Sequence, residues 1–239
     1  MQYLNKLKDM LGKGLDLISP CKCICCGLVA CSDDLPVCSD CLGDFYRLLN
    51  TACRSCGMDI CRCDCHGEKL AFLFWYDTGL SHHIIGQLKN NADLRFARLL
   101  SRLLVLRIKS LHKRGFEAVT YIPRRKRGIR IAGYDQAKLI ADETAKCLGI
   151  PCIPMLIRHG RQEQKLLSAA ERKKRMKDRY SVVLYNQNNI RRVLLIDDVS
   201  TTGATLSACA GLLRRAGIGQ VIPAVVAKTP KKEGWITNG

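Results

Sequence analysis

Hydrophobic positions change their spacing several times along the chain. Leu4, Leu7, Leu11, Leu15 and Ile18 recur every three or four residues until Ser19-Pro20 stops the run, which predicts a short amphipathic helix over 1–20. Residues 21–66 lack such a period and hold too few apolar side chains to bury a core alone. Residues 69–76 predict a strand. Ile84, Ile85 and Leu88, then Phe96, Leu99, Leu100, Leu103 and Leu104, predict one or two helices across 80–113, followed by a loop at Arg114-Gly115. From residue 116 the pattern alternates. Residues 117–122 predict a strand, and 134–148 a helix with Ala137, Ile140, Ala141 and Ala145 on one face and Gly149 as its stop. Cys152–Leu156 is a short strand, 158–179 a polar and basic loop, and 180–185 a further strand. Residues 192–196 form a continuous apolar run of the kind buried on both faces of a parallel sheet. A helix over 203–216 ended by Gly217 and a strand over Val221–Ala227 complete the series. Strands alternating with helices predict an α/β fold, a parallel sheet flanked by helices.

Composition divides the chain in two. Twelve of its 15 cysteines lie between Cys21 and Cys65, and the formal net charge is +18. Residues 1–66 carry a net −1 and residues 67–239 a net +19, so a cysteine-rich module at 21–66 precedes a basic domain at 67–239. An apolar content of 47% excludes a disordered chain. No run approaches the ~20 apolar residues that span a bilayer. Lys6, Lys8, Asp9, Lys13 and Asp16 interrupt the first twenty residues, leaving no signal-peptide core and pointing to a cytoplasmic protein. In that reducing compartment clustered cysteines read as metal ligands rather than disulfides.

The cysteine spacing is specific. Cys23-x-x-Cys26-Gly27 and Cys53-x-x-Cys56-Gly57 are knuckles in which a tight turn brings two thiolates to one tetrahedral ion, the glycine allowing a left-handed backbone. With the pair Cys38 and Cys41 between them, Cys23, Cys26, Cys38 and Cys41 complete one four-thiolate site. Cys53 and Cys56 begin a second, to be completed from Cys61, Cys63, Cys65 or His66, and Cys21, Cys25 and Cys31 are spare thiols. Four thiolates leave no open coordination position, so these are structural Zn2+ sites; an iron–sulfur cluster is the alternative.

The most informative stretch runs from Val193 to Thr205. An apolar strand delivers Asp197 and Asp198, then Val199, Ser200, Thr201, Thr202, Gly203, Ala204 and Thr205 lead into a helix. Successive backbone N–H groups, the threonine hydroxyls and the positive end of the helix form an anion site sized for a phosphate monoester. The two acids can accept from sugar hydroxyls or hold a metal, and the end of a parallel strand is where such folds bind ligands. No P-loop lysine accompanies the string, so hydrolysis of a nucleoside triphosphate is not implied.

This string resembles the 5-phosphoribosyl-1-diphosphate (PRPP) motif of type I phosphoribosyltransferases, and the chain from about 20 to 228 resembles the ComF family, which joins a double zinc ribbon to such a domain. Supporting strings are Gln87-Leu88-Lys89, Tyr121 through Arg127, Gly133-Tyr134-Asp135-Gln136-Ala137 and Gln164 through Arg172. The chain departs from the family at Ala132, where Arg is usual, at Asp135, where Asn is usual, and at Arg175 or Met176. The resemblance implies a type I phosphoribosyltransferase-like sheet behind an N-terminal zinc-ribbon module. It implies PRPP bound with Mg2+: Asp197 and Asp198 on the ribose hydroxyls, Thr201 through Thr205 around the 5′-phosphate, Arg124 or Arg125 near the diphosphate, and Lys89 and Lys126 as further phosphate contacts. Residues 158–179 would close over the ligand.

Five of the seven residues 124–130 are cationic: Arg124, Arg125, Lys126, Arg127 and Arg130. Such a run is a solvated face, a diphosphate clamp or a nucleic-acid contact. The net +19 exceeds what one diphosphate requires, and the ComF family is associated with DNA uptake in natural competence, so single-stranded DNA and competence-machinery proteins are the implied partners. The alternative is a PRPP- or DNA-binding scaffold or sensor without catalysis.

Overall fold

The computed structural model describes residues 22–29, 35–50, 70–90, 93–125, 129, 133–159, 179–183 and 190–230. The helix expected over 1–20, the second set of cysteine ligands from Cys53 to His66, residues Lys126, Arg127 and Arg130, and most of the basic loop lie outside them.

The elements in chain order are α1 (Ser39–Leu49), β1 (Ala71–Trp75), α2 (Gly79–Asn90), α3 (Leu94–Leu111), β2 (Ala118–Tyr121), α4 (Gln136–Leu148), β3 (Leu156–Arg158), β4 (Tyr180–Val182), β5 (Arg192–Ser200), α5 (Ala204–Arg215) and β6 (Gln220–Lys228). Four strands form a sheet in the order β1-β6-β5-β2, and every neighbouring pair is parallel. β5 is central: Val193 to Ile196 are buried, and their side chains alternate between two cores. Leu194 and Ile196 join the core under α2, α3 and α4, whereas Val193 and Leu195 join the core under α5 and the β3–β4 hairpin. Helices cover both faces, as an apolar run without alternation requires.

Local signals account for the boundaries. Asp93 caps α3 by accepting from the Arg95 N–H at 2.9 Å, so the apolar stretch across 80–113 is two helices. Asp135 caps α4, its Oδ1 accepting from the N–H groups of Ala137 at 3.1 Å and Lys138 at 3.3 Å, and Gly149 closes that helix.

Three features differ from the sequence reading. The strand read over 192–196 continues to Ser200, because β6 keeps pairing with it as far as Ser200 against Lys228; Asp197 and Asp198 therefore sit in the strand, and the loop is only 201–203. The segment at 152–158 divides. Cys152 bridges Val119 on the edge of β2, and only Leu156–Arg158 form a ladder, antiparallel to β4. Arg158 and Arg179 consequently stand at the stem of the basic loop, with the His159 N–H donating to the Arg179 carbonyl at 2.9 Å. Finally, α1 lies within the cysteine module. Its Phe45, with Cys23, Ile24 and Val37, belongs to the same core as Ala71 and Phe74, so the module finds its apolar partners in the sheet.

Candidate functional site

The carboxyl ends of β2 and β5 open onto a cavity of about 260 Å3. This is just below the usual range of about 300–1,000 Å3 for small-molecule sites, in the position where open α/β sheets bind ligands. β5 and the start of α5 supply Asp197, Asp198 and Thr205; Pro123 and Arg124 follow β2; Asp135 and Gln136 open α4; Lys89 ends α2; Arg158 and Tyr180 come from the hairpin.

The acids are set by the strand. Asp197 Oδ1 accepts from the Asp198 N–H at 2.9 Å, and Asp198 Oδ1 from the Val199 N–H at 2.7 Å. Burial, then the neighbouring Asp198, hold the Asp197 carboxyl well above the usual carboxylate range. Lys89 Nζ stands 3.8 Å from Asp198 Oδ2. Gly203 enters α5 at φ +73°, a backbone that other residues rarely adopt, and it turns the chain from the strand into the helix whose first turn faces the cavity.

A hydrogen-bonded frame holds the cationic wall. Asp135 Oδ2 accepts from the Arg124 N–H at 2.8 Å, and Arg124 Nη1 donates to Gln136 Oε1 at 2.6 Å. Gln136 Nε2 donates to the Lys89 carbonyl at 3.2 Å, and the Tyr134 hydroxyl to the Leu88 carbonyl at 2.6 Å. The loop after β2, the start of α4 and the end of α2 are thereby tied together. Opposite, the Arg158 guanidinium lies 5.3 Å from the centre of the Tyr180 ring, and its Nε is buried without a hydrogen-bond partner among the described residues. Burial lowers the pKa of Arg158. Vicinal acids facing three cationic side chains suit a ligand that carries both hydroxyl donors and phosphate.

Of the residues expected at the phosphate site, Lys89, Arg124, Asp197, Asp198 and Thr205 line the cavity. Thr201 and Thr202 are exposed in the loop, with Thr202 Oγ1 accepting from the Ala204 N–H at 3.3 Å; Val199, Gly203 and Ala204 are half-buried and Ser200 is buried. Arg125 is exposed and does not line the cavity. Asp135, Gln136, Arg158 and Tyr180 also line it and were given no individual ligand role from the sequence: Asp135 and Gln136 were named only within a supporting string, and Arg158 only as the start of the closing loop. The acid-amide pair at a helix start was a usable signal for the first two, whereas nothing local marks the others.

The second feature is the cysteine cluster. The Sγ atoms of Cys23, Cys26, Cys38 and Cys41 all lie within 4.8 Å of one another and could hold one metal ion. Gly27 adopts φ +77°, as the knuckle turn requires, and its N–H donates to the Cys23 carbonyl at 2.9 Å. Burial opposes the Cys23 thiolate, but the backbone N–H groups of Cys38, Cys26 and Cys25 outweigh it and bring the thiol down to about 7. Cys25 stays outside the cluster, and burial pushes its thiol up to about 12. No described helix is long and apolar enough to cross a membrane.

No protein-family model matches the chain. Among solved structures it is similar to a glutamine PRPP amidotransferase from B. subtilis complexed with ADP and GMP, at 22% identity over 61% of this chain and 27% of that one, TM-score 0.37. It is also similar to an adenine phosphoribosyltransferase from Leishmania tarentolae, at 17% identity over 58% of this chain and 73% of that one, TM-score 0.35. The chain thus spans about a quarter of the length of the amidotransferase. Among curated proteins it is similar to competence protein F of Haemophilus influenzae, with 31% identity over 161 residues, 64% of this chain and 70% of that one. At that identity and coverage, with the parallel sheet and the cysteine cluster in place, the chain belongs to the competence protein F family.

Proposed function

We propose that the chain binds PRPP with Mg2+ in the cavity at the ends of β2 and β5, through a phosphoribosyltransferase domain that serves DNA uptake. The observation that carries the reading is the convergence on one cavity of Asp197, Asp198, the Thr205 end of α5 and the framed Arg124. In this reading Asp197 and Asp198 accept from the ribose 2′- and 3′-hydroxyls. Thr201 to Thr205 and the N-terminal turn of α5 take the 5′-phosphate. Arg124, with Lys89 and the unsatisfied Arg158, faces the diphosphate. Mg2+ bound with the diphosphate would neutralise the charge that builds as the bond to the anomeric carbon breaks. Arg125 and the basic segment to Arg130 would meet single-stranded DNA, alongside competence-machinery proteins. The four-cysteine cluster is a structural Zn2+ site, and a second would come from Cys53, Cys56 and the cysteines that follow. The cytoplasm expected from the first twenty residues would keep these cysteines reduced and available as ligands.

Thermal melting with PRPP·Mg2+ tests the central claim. At a hundredfold excess over Kd the ligand should raise Tm by about 5–10 °C, and ribose 5-phosphate by less. Asp197→Asn/Asp198→Asn should remain folded and lose the shift. A wild-type protein that does not respond to millimolar PRPP·Mg2+ would overturn the reading.

A further inference from the structure

A second concavity, of about 360 Å3, lies at the other end of the sheet, where β2 and β5 begin. Its floor is apolar: Phe116, Leu148 and Ile150 are half-buried and pack against the main core. Its rim is cationic. Lys109, Lys113 and Arg114 are exposed, and none of them has an ion-pair partner among the described residues. Phe116 carries two further groups. The His112 ring stands edge-on to it at 6.3 Å, and the Arg192 guanidinium lies 5.0 Å from its centre. The Arg192 Nε is buried without a hydrogen-bond partner among the described residues, and Arg191 beside it is exposed. The nearby acid, Glu117, is already engaged: its carboxylate accepts from the backbone N–H groups of Arg191 and Arg192, which lowers its pKa.

We propose that this groove binds a single-stranded polynucleotide, with a base on the Phe116 floor and backbone phosphates on Lys109, Lys113 and Arg114. A free anion would need the cations but not the floor, and an acidic peptide would need no flat apolar platform. An aromatic floor beside a cationic rim is the arrangement that single strands use, because every base has a face to stack and every residue of the strand a phosphate to place. The groove also gives a location to the charge that the phosphate cavity leaves over. The proposal rests on the nucleic-acid part of the functional reading and adds, at the start of β2, a contact separate from the one given to Arg125 and the basic segment to Arg130. The two sites share no lining residue among the described residues. The extended chain from Glu117 to Ile122, with β2 inside it, separates them by roughly 17 Å at ~3.3 Å per residue, so both can be filled at once.

Fluorescence anisotropy with a labelled 20-mer of thymidine, on the full chain over a salt series, tests this. Lys109→Ala/Lys113→Ala/Arg114→Ala should weaken binding more than tenfold at low salt and reduce the salt slope by about 2, since each lost phosphate contact removes about 0.7. Phe116→Leu, which keeps the floor apolar, should weaken thymidine binding by at least about fivefold and leave binding of an abasic 20-mer unchanged. Saturating PRPP·Mg2+ should not displace the strand, and the variants should keep the wild-type Tm shift with PRPP. Wild-type affinity and slope in the triple variant would overturn the site, as would displacement of the 20-mer by poly-glutamate at equal charge. A wild-type chain that binds no 20-mer at low salt would overturn the nucleic-acid reading as well, while leaving the PRPP reading untouched.

Discussion

Asp197 shows how one side chain can oppose stability and serve a site. Its carboxyl is raised by burial and by Asp198, so the folded chain binds the proton more tightly than the unfolded chain does. The cost of ionising it is absent below the unfolded value of 3.8, grows as pH rises towards the folded pKa, and is complete above it. Asp197→Asn should therefore melt higher than wild type at pH 7 without ligand, converge with it at pH 4, and fail to respond to PRPP. Melting curves at the two pH values check this, and a variant that is less stable at pH 7 would contradict it. Gly203 is the converse case. Its φ of +73° makes Gly203→Ala cost about 1–2 kcal/mol in urea unfolding, because a Cβ in the left-handed region meets the following carbonyl. The same change should weaken PRPP binding, since it displaces the first turn of α5.

At the scale of elements, the start of α4 joins folding to the site. Asp135 uses one oxygen to cap the helix and the other to fix the Arg124 N–H. Asp135→Ala should cost about 1–2 kcal/mol through the lost cap and also loosen the loop that carries Arg124. Asp135→Asn keeps a capping oxygen and should stay within about 0.5 kcal/mol of wild type. Chemical unfolding of the two variants separates capping from any effect of charge. The β3–β4 hairpin has a comparable role: the Thr120 hydroxyl oxygen accepts from the Met155 N–H at 3.2 Å, anchoring to β2 the stem from which Arg158 and Tyr180 reach the cavity.

At the scale of the molecule, the cysteine cluster and the sheet share a core. Cys23, Ile24 and Phe45 pack in the cluster that includes Ala71, Phe74 and Leu100. Removing metal with a chelator at pH 7 should shift the main melting transition downwards rather than split off a small early one, because the loosened knuckle exposes apolar surface that the sheet also uses. Calorimetry with and without chelator checks this, and an unchanged Tm would mean that the cluster contributes nothing to the fold. In a metal assay, Cys26→Ser/Cys41→Ser should contain one Zn2+ fewer than wild type.

Much of this was legible from spacing alone. The apolar run at Val193–Ile196, the helical period of α4 and the knuckle around Cys23 and Cys26 each express a preference that a few adjacent residues set: a strand buried on both faces, an amphipathic helix, a turn closing on two thiols. The end of β5 was not legible, because Asp197 to Ser200 are held in the strand by pairing with β6, and residues outside the strand supply that pairing. The helix in the cysteine module was likewise missed, since the surface that buries Phe45 comes from another part of the chain. The sequence by itself determined the types of most elements after residue 69, the acid–threonine string from Asp197 to Thr205 and the first thiol set, which are local. Only the tertiary structure decided that Lys89, Arg124, Asp135 and Arg158, from four separate segments, meet Asp197 at one end of the sheet. It also decided that Phe116, Leu148 and Ile150 form a floor at the other end. Strand order and helix packing fix both arrangements, and periodicity along a chain carries no information about either.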